Sequence, residues 1–198
     1  MPDRRKKTDR QHKNRRAKPP KNRRPASSRP TGAGVESNGW TLLAHPLFLQ
    51  QIEKLTVAAE AERRKEPRTP GPNAKLLAHI LDLALEKIPQ DPASPAYRHG
   101  GALGDERKHW FRAKTGNGRY RLFYRFQSSA RLIVFAWVND ASTLRTYGSS
   151  TDAYAVFGRM LDSGNPPDDW EDLVAGARPN EVVDRWKGAV SRRRKKRS

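Results

Sequence analysis

Cysteine is absent from the 198-residue sequence. This absence excludes disulfides, thiolate metal ligands and a cysteine nucleophile. The sequence also lacks any apolar run near the roughly 20 residues that a membrane-spanning helix needs. Its N-terminus is basic, but no apolar segment follows, and this is not typical of a signal peptide. We therefore expect a cytoplasmic protein that does not insert into a membrane.

Large hydrophobic residues are also scarce. The sequence is 35% hydrophobic and 31% charged, and it contains 15 prolines, so part of it lacks the apolar surface that a packed core requires. Residues 1–37 are rich in Lys, Arg, Pro, Ser and Gly and have almost no large apolar side chain. We predict that they form a disordered basic tail, with order beginning near Asn38.

The net charge of +19 is unevenly distributed. Residues 1–37 hold 13 Lys and Arg residues against three acids, and residues 192–197 add six basic residues and no acid. Between these ends, residues 98–145 hold ten Lys and Arg residues against three acids, while the remainder is net negative. The basic charge of the expected folded region is therefore concentrated in one segment.

Helical periodicity marks two segments. Apolar residues at three- and four-residue spacing predict amphipathic helices over residues 46–64 and 73–88. The stretch between them, EPRTPGP at 66–72, contains prolines that interrupt helices. We expect these two helices to form an antiparallel hairpin.

The hydrophobic period changes to two after residue 107, as is typical of strands. Three strands are predicted, over residues 108–114, 119–127 and 131–138. The short turns between them favour antiparallel pairing. Further helices are predicted over about residues 152–162, 168–174 and 178–190. This order predicts an α+β fold, with an N-terminal helical hairpin packed on an antiparallel β-sheet and followed by a C-terminal helix.

Basic side chains cluster on one predicted face of this sheet. Because side chains alternate between faces along a strand, one face of the first hairpin collects five cations. These are Arg112, Lys114, Arg119, Arg121 and Arg125. Like charges this close repel one another unless an anion lies between them, and their spacing suits a phosphate backbone. The alternative is an ordinary solvated face, although such a face usually mixes charges of both signs.

Aromatic residues near these cations offer stacking surfaces for unpaired bases. The candidates are Trp110, Phe123, Tyr147 and Tyr154, with core packing as the alternative for the first two. Tyr154 lies off the centre of its helix's apolar stripe, so its hydroxyl is expected at the rim of a cleft.

Arg145 follows the turn after the third predicted strand. It is expected to close the same cleft from the far side. The alternative is a structural ion pair with Asp140 or Asp152.

The five histidines show no metal-binding pattern, because none is spaced from another histidine or a carboxylate as metal ligands are. We therefore predict no metal and no cofactor. His99 lies in a loop that we expect to be exposed, so it is a candidate RNA contact. His109 adjoins the cationic strand and is a second candidate.

Five stretches resemble a known family. They are NGWTLLAHPLF (38–48), SPAYRHGGALG (94–104), GNGRYRLFYRF (116–126), WVNDASTLRTYGSSTDAYAVFGRML (137–161) and GNPPDDWEDL (164–173). In this order they resemble the YhaV-type toxins of bacterial type II toxin–antitoxin systems, within the RelE/ParE superfamily. The resemblance implies a RelE-like toxin domain over residues 38–175. It leaves residues 1–37 and 176–198 as basic extensions. We expect them to raise affinity for ribosomal RNA; the alternative is a solubilising tail that contacts nucleic acid only non-specifically.

The resemblance also implies an activity. Such a protein would be an endoribonuclease that cleaves mRNA without a metal, in association with the ribosome. A PrlF-type (swapped-hairpin) antitoxin would neutralise it. In the implied reaction a ribose 2′-hydroxyl attacks the adjacent phosphate, so the enzyme must offset the charge of the phosphorane and move protons.

Residue by residue, the resemblance assigns roles in this reaction. It implies catalytic roles for Arg112, Lys114, Arg121, Arg145 and Tyr154. Arg121 would stabilise the phosphorane, Lys114 would assist proton transfer, and Arg145 would hold the scissile phosphate. Tyr154, with Tyr147 as the alternative, would take the position of the superfamily's tyrosine. Contacts to RNA are implied for Arg119, Arg125, His99, His109 and Tyr147.

Two other functions stay open from the sequence. One is a non-catalytic RNA- or ribosome-binding protein of the same fold, and the other is a ParE-like inhibitor of DNA gyrase. The cationic sheet face favours RNA over gyrase as the target. The grouping of basic residues with a tyrosine favours cleavage over binding alone.

Overall fold

The computed structural model describes residues 34–195, with side chains through Arg193. Most of the predicted basic tail, residues 1–33, lies outside the described residues. Order begins earlier than predicted, because Val35–Ser37 forms the first strand. Val35 is buried, and this apolar side chain gives the segment a face to pack.

One five-stranded sheet forms the centre of the fold. Its strands are β1 (Val35–Ser37), β2 (Trp40–Ala44), β3 (Phe111–Thr115), β4 (Tyr120–Gln127) and β5 (Leu132–Val138). Their order in the sheet is β1-β2-β5-β4-β3. The predicted meander of β3, β4 and β5 is therefore present, with antiparallel pairs throughout.

The prediction of a wholly antiparallel sheet is wrong at one pair. β2 and β5 lie parallel, with Leu42 opposite Ile133, so the sheet is mixed. A parallel pair needs a long crossover, and the chain between β2 and β5 supplies it with helices and the β3–β4 hairpin. The first helices are also not N-terminal, because β1 and β2 precede them.

Six helices complete the described chain. They are α1 (Pro46–Lys65), α2 (Pro72–Asp82), α3 (Ile88–Gln90), α4 (Ala153–Asp162), α5 (Trp170–Ala177) and α6 (Asn180–Lys195). A π-helical turn, Leu83–Lys87, joins α2 to α3. Between α1 and α2, the carboxylate of Glu62 accepts hydrogen bonds from the side-chain and backbone amides of Asn73.

Helices cover both faces of the sheet. On one face α1, α2 and α6 contribute Phe48, Ile80 and Trp186 to a core with β5. On the other face α4 and α5 contribute Phe157 and Leu173 to a second core. All seven residues of β5 are buried, as expected for a strand that is apolar on both faces.

The C-terminal extension is a packed part of the fold over most of its length. Trp186 of α6 is fully buried against Phe48 and Phe135, at ring-centre distances of 5.7 and 6.2 Å. Its indole N–H donates to the carbonyl of Leu42 at 3.2 Å. The predicted helix over 178–190 thus exists, and it closes one face of the sheet. Within residues 34–195, no helix combines the length and apolar character needed to cross a membrane.

Trp186→Ala should lower the free energy of unfolding by about 3–5 kcal/mol, because it opens a large cavity in this core. Urea unfolding at neutral pH measures the loss. Arg185→Ala is the matched control on the same helix. It removes only a half-exposed ion pair with Glu53 and should cost under about 1 kcal/mol. Equal losses for both variants would contradict the packing role of α6.

Stability should also depend on the protonation of His45. This buried ring caps α1 by accepting from the amide of Leu47 at 3.4 Å. Burial lowers the pKa of His45 from 6.5 to about 4. Between these values the unfolded chain binds more protons than the folded one, so stability is full above pH 6.5 and falls as the pH drops toward 4. Urea midpoints across this range should show the fall. His45→Asn keeps a capping oxygen without a titrating ring, and should flatten the profile.

Candidate functional site

Three arginines converge on one buried tyrosine. Tyr154 lies in the first turn of α4, and its hydroxyl accepts a hydrogen bond from Nε of Arg112 at 2.8 Å. The guanidinium carbons of Arg121 and Arg145 lie 5.9 and 5.0 Å from the centre of its ring. These residues come from β3, β4, the loop after β5, and α4, so the fold assembles them from four parts of the chain.

Arg112 and Arg121 are buried without a carboxylate. They are 8% and 6% exposed, and neither forms an ion pair with any residue between 34 and 193. Backbone carbonyls accept from each instead: Ala96 from Arg112 at 2.8 Å, and Tyr120 from Arg121 at 3.1 Å. A buried charge is costly unless an opposite charge or several hydrogen bonds compensate it. The pair therefore forms a positive centre that an anion would stabilise.

Arg121 also has an unused donor. Its Nε is buried and has no hydrogen-bond partner, while one terminal nitrogen donates to the carbonyls of Gly118 and Tyr120. Its backbone amide donates to Oδ1 of Asn139 at 2.5 Å, which fixes β4 at this position. A buried donor without a partner is rare in folded proteins.

Arg145 is held by Asp152. The two form an ion pair, so the sequence-based alternative of a structural ion pair is confirmed for this partner. The same carboxylate accepts from the amides of Thr146 at 2.6 Å and Tyr154 at 2.9 Å. Burial opposes ionisation of Asp152, but hydrogen bonds from Tyr154 and Arg145 outweigh it and hold its pKa below the ordinary value. One ionised side chain thus caps α4 and positions Arg145.

The predicted rim position of Tyr154 is wrong, because its ring is buried among Phe123, Phe157 and Trp137. Tyr147 is the exposed tyrosine instead, at 87% exposure. Its ring stacks on the guanidinium of Arg145 at 3.6 Å. Arg145 thus lies near two tyrosine rings, one buried in the core and one open to solvent.

Two further cations lie at the solvent side of this cluster. Lys114 is directly opposite Arg121 in the β3–β4 ladder, and both Lys114 and Arg119 are exposed. Neither side chain forms an ion pair within residues 34–193. The backbone carbonyl of Arg119 accepts from the amide of Arg145 at 3.2 Å. Both side chains are thus available to an anionic ligand.

The structure does not bring Arg125 and His109 into this cluster. Arg125 lies between the rings of Trp110 and Trp170, 5.6 and 5.4 Å from their centres, and donates to the carbonyl of Asp168. Its burial lowers its pKa. Nε2 of His109 lies 2.8 Å from Oδ1 of Asp168. Both side chains tie the chain between α4 and α5 to the sheet.

The prediction of five cations side by side on one face is therefore wrong for Arg125. Arg125 does lie on the predicted face of the sheet. However, α4 and α5 cover that face, so a side chain at its centre needs partners inside the protein. Trp110 and Phe123 are core residues, so the alternative of core packing is confirmed for both. Phe123 stacks on Phe157 with ring centres 4.1 Å apart.

His99 is not the exposed loop residue that we predicted. It is 7% exposed, and its Nε2 lies 2.9 Å from the carbonyl oxygen of Arg107. The loop that starts at Arg98 folds back on itself around this ring. His99 therefore has a structural contact in place of the predicted open one.

Sequence reasoning missed Asn139. This buried side chain accepts from the amide of Arg121 and donates to the carbonyls of Arg119 and Thr143 at 3.3 and 2.8 Å. It thereby joins the start of β4 to the loop that carries Arg145. The sequence signal for Asn139 was its position, as a polar residue directly after the apolar strand β5.

Within residues 34–195 no group of three or more His, Asp or Glu side chains is arranged to hold a metal ion. The side chains of the Tyr154 cluster itself carry guanidinium, ammonium and phenol groups.

Comparison with known proteins identifies the family. Residues 42–178 match the family model for YhaV toxins, described as a toxin with endonuclease activity, of toxin–antitoxin system. The toxin YhaV of Escherichia coli O6:H1 is 48% identical over 140 residues, which cover 69% of this chain and 91% of that protein. The ribonuclease toxin YhaV of E. coli K12 is 47% identical over the same shares of both chains.

A solved chain from the RelBE2 toxin–antitoxin complex of Mycobacterium tuberculosis is 20% identical, with a TM-score of 0.35. The match covers 50% of this chain and 88% of that one. The family match extends over more than half of the sequence and includes the whole arginine and tyrosine cluster. It confirms the resemblance seen in the sequence: this chain belongs to the YhaV family of toxins with endonuclease activity from toxin–antitoxin systems.

Proposed function

We propose that this protein is an endoribonuclease toxin that cleaves mRNA at the Tyr154 cluster, formed by Arg112, Arg121, Arg145 and Tyr154 with Lys114 at its solvent side. The observation that carries the proposal is the pair of buried arginines without a carboxylate partner beside the tyrosine. A scissile phosphate would supply the missing negative charge. The name of the E. coli K12 relative, a ribonuclease toxin, supports RNA as the substrate.

The reaction needs no group beyond the substrate and these side chains. The 2′-hydroxyl oxygen forms a bond to phosphorus, and the bond from phosphorus to the 5′ oxygen breaks, which leaves a cyclic phosphate and a free 5′-hydroxyl. One proton leaves the 2′-hydroxyl and one reaches the departing oxygen. Positioned acid–base groups contribute about 10²–10⁴-fold each to such steps.

Arg121 would stabilise the phosphorane. Turn carbonyls hold its guanidinium and Asn139 holds its backbone amide, so little reorganisation would accompany the reaction. Arg145 is oriented by Asp152 and would hold the phosphate from the other side of Tyr154.

Tyr154 and Lys114 are the candidates for proton transfer. The Tyr154 hydroxyl accepts from Arg112, so its own hydrogen is free to be donated to another oxygen. Lys114 is exposed and lies across the ladder from Arg121, where its ammonium group can meet the substrate. The stacked pair of Tyr147 and Arg145 offers a surface for an adjacent base.

The proposed setting is the bacterial cytoplasm. There the protein would act on mRNA at the ribosome and be neutralised by a PrlF-type antitoxin. The family's place in toxin–antitoxin systems supports an antitoxin partner. A non-catalytic RNA-binding protein is the second candidate, favoured by the deep burial of the Tyr154 ring.

Arg121→Ala should lower cleavage about 10²–10³-fold, because it removes a fixed donor from the developing charge. Primer extension on mRNA after induced expression measures this. Arg131→Ala is the matched control, since this exposed arginine stacks on Trp40 near the opposite edge of the sheet. Wild-type growth arrest without new RNA ends would refute the nuclease function. Normal cleavage by Arg121→Ala would refute the proposed role of Arg121 in the site but not the nuclease function.

Tyr154→Phe separates cleavage from binding. Removing the hydroxyl should lower the cleavage rate about 10²-fold or more if it moves a proton. The affinity for a 2′-deoxy analogue of the scissile nucleotide should change by about tenfold or less, because a single hydrogen bond contributes about 0.5–1.5 kcal/mol. Tyr120→Phe, on the opposite face of β4, serves as the control. Equal losses in cleavage and binding for Tyr154→Phe would contradict a role in proton transfer and would indicate that the hydroxyl only contributes to RNA binding.

A further inference from the structure

A second cleft lies in the loop that leads into β3. It has a volume of about 290 Å³ and is lined by Arg98, His99, Gly100, Gly101, Asp105 and Lys108, and we call it the loop cleft. None of these residues belongs to the Tyr154 cluster. The volume is close to the lower end of the range for small-molecule sites, about 300 Å³. The loop cleft therefore has room for one small flat group, such as a nucleobase.

Hydrogen bonds between the two arms of the loop give this cleft its shape. A guanidinium nitrogen of Arg98 donates to the carbonyl of Lys108 at 3.2 Å. Nε2 of the buried His99 ring donates to the carbonyl of Arg107 at 2.9 Å, because a carbonyl oxygen can only accept. These contacts close the base of the loop, so the cleft is formed before a ligand binds.

A carboxylate and an ammonium group lie side by side in the cleft. Oδ1 of Asp105 is 3.0 Å from Nζ of Lys108, and the two side chains are 84% and 66% exposed. An exposed ion pair of this kind contributes little to stability, so both groups can contact a ligand at small cost. Together they present two acceptor oxygens next to a cationic donor.

Arg98 offers a flat surface at the side of the cleft. Its guanidinium carbon lies 4.3 Å from the centre of the Phe111 ring, and the residue is exposed. Within residues 34–193 Arg98 forms no ion pair. Guanidinium planes are among the surfaces on which unpaired RNA bases stack. Phe111 thus supports the guanidinium from the protein side, and its exposed side is available to a base.

Two glycines keep the mouth of the cleft open. Gly100 and Gly101 have φ values of +62° and +82°, a backbone conformation that favours glycine. No protein atom lies within 4 Å of the position that a Cβ would take at either residue. A flat ligand can therefore approach the cleft without meeting a side chain here.

The loop cleft adjoins the Tyr154 cluster along β3. Arg112 of the cluster donates to the carbonyl of Ala96 at 2.8 Å. Ala96 precedes Arg98 by two residues, a chain length of at most about 7 Å. On β3 itself, Phe111 directly precedes Arg112. An RNA strand whose phosphate lies at the cluster can therefore place a nearby base in the loop cleft.

We propose that the loop cleft binds a guanine base of the RNA substrate near the scissile phosphate, an inference that rests on the proposed nuclease function. The Watson–Crick edge of guanine carries two adjacent N–H donors, N1 and N2, followed by the acceptor O6. The carboxylate of Asp105 accepts from both donors, and the ammonium group of Lys108 donates to O6. Adenine, cytosine and uracil carry one N–H donor group next to an acceptor instead, and that acceptor would face the carboxylate.

The test measures base preference without cleavage. The probes are oligonucleotides with 2′-O-methyl riboses, which attack by a 2′-hydroxyl cannot cleave. Each carries one guanine in an otherwise uridine sequence, and the guanine is moved along the chain. At the position that binds most tightly, the guanine is then replaced by adenine, cytosine or uracil.

Three full-length proteins are compared: wild type, Asp105→Asn and Glu106→Gln. Glu106 is the matched control, because it is an exposed carboxylate in the same loop and does not line the cleft. Both substitutions remove one negative charge from the loop. A difference between the two variants therefore reports the position of the carboxylate and not the charge.

Wild type and Glu106→Gln should bind the guanine oligonucleotide at least about fivefold more tightly than its replacements, the discrimination expected of a bidentate contact. Asp105→Asn should reduce this ratio to less than about twofold, because an amide no longer offers two acceptors. It should also cleave a guanine-free RNA at the wild-type rate, because Asp105 lies outside the Tyr154 cluster.

Four results would overturn the proposal. They are the absence of a guanine preference in wild type, an unchanged preference in Asp105→Asn, an equal loss of preference in Glu106→Gln, and binding of GMP alone as tightly as the guanine oligonucleotide. The last result would indicate a site for a free nucleotide. If the guanine preference depends on Asp105 while no protein cleaves RNA, the base site stands and the nuclease function fails. Cleavage without any guanine preference would have the opposite meaning.

Discussion

Strand β5 is buried on both of its faces, and the rest of the fold follows from the need to cover it. One face requires α1, α2 and α6, and the other requires α4 and α5. Because both layers are complete, polar side chains on the inner strands must find partners inside the protein. This constraint divides the basic residues of the β3–β4 hairpin into three groups. Arg125 is held by a backbone carbonyl and two tryptophan rings, and Lys114 and Arg119 reach solvent. Arg112 and Arg121 stay buried without an opposite charge.

The Tyr154 cluster is held together by neutral groups and one carboxylate. Carbonyls of the loop before β3 and of the β3–β4 turn orient the two buried arginines, and Asn139 joins β4 to the following loop. Asp152 provides the only carboxylate contact to the cluster among the described residues. The net charge of the site is therefore positive before any ligand arrives. In the proposed reaction a substrate phosphate would bring the opposite charge, and it would replace no ionic partner of Arg112 or Arg121 within residues 34–193.

Much of the fold followed from the sequence because hydrophobic period and proline positions report local structure. The strands that became β3, β4 and β5, the helix α1 and the convergence of Arg112, Arg121 and Arg145 came from these signals and from the family resemblance. The parallel pairing of β2 and β5 did not, since it joins residues about 90 positions apart and has no local pattern. Burial was the second feature that the sequence did not predict. Strand parity assigns Arg125 to a sheet face, and helical periodicity places Tyr154 beside the apolar stripe of its helix, but only the packed structure shows that both side chains are covered.

The turn between β3 and β4 has a consequence for how this family can vary. Gly118 has a φ of +76°, a backbone conformation that favours glycine, and its carbonyl accepts directly from Arg121. The shape of an uncharged turn thus decides where a charged group points. Substitutions at residues 116–118 would change the orientation of the Arg121 guanidinium without changing any charged residue. Two copies with identical basic residues and different turns are therefore not equivalent, and charge content alone does not report which of them retains a working site.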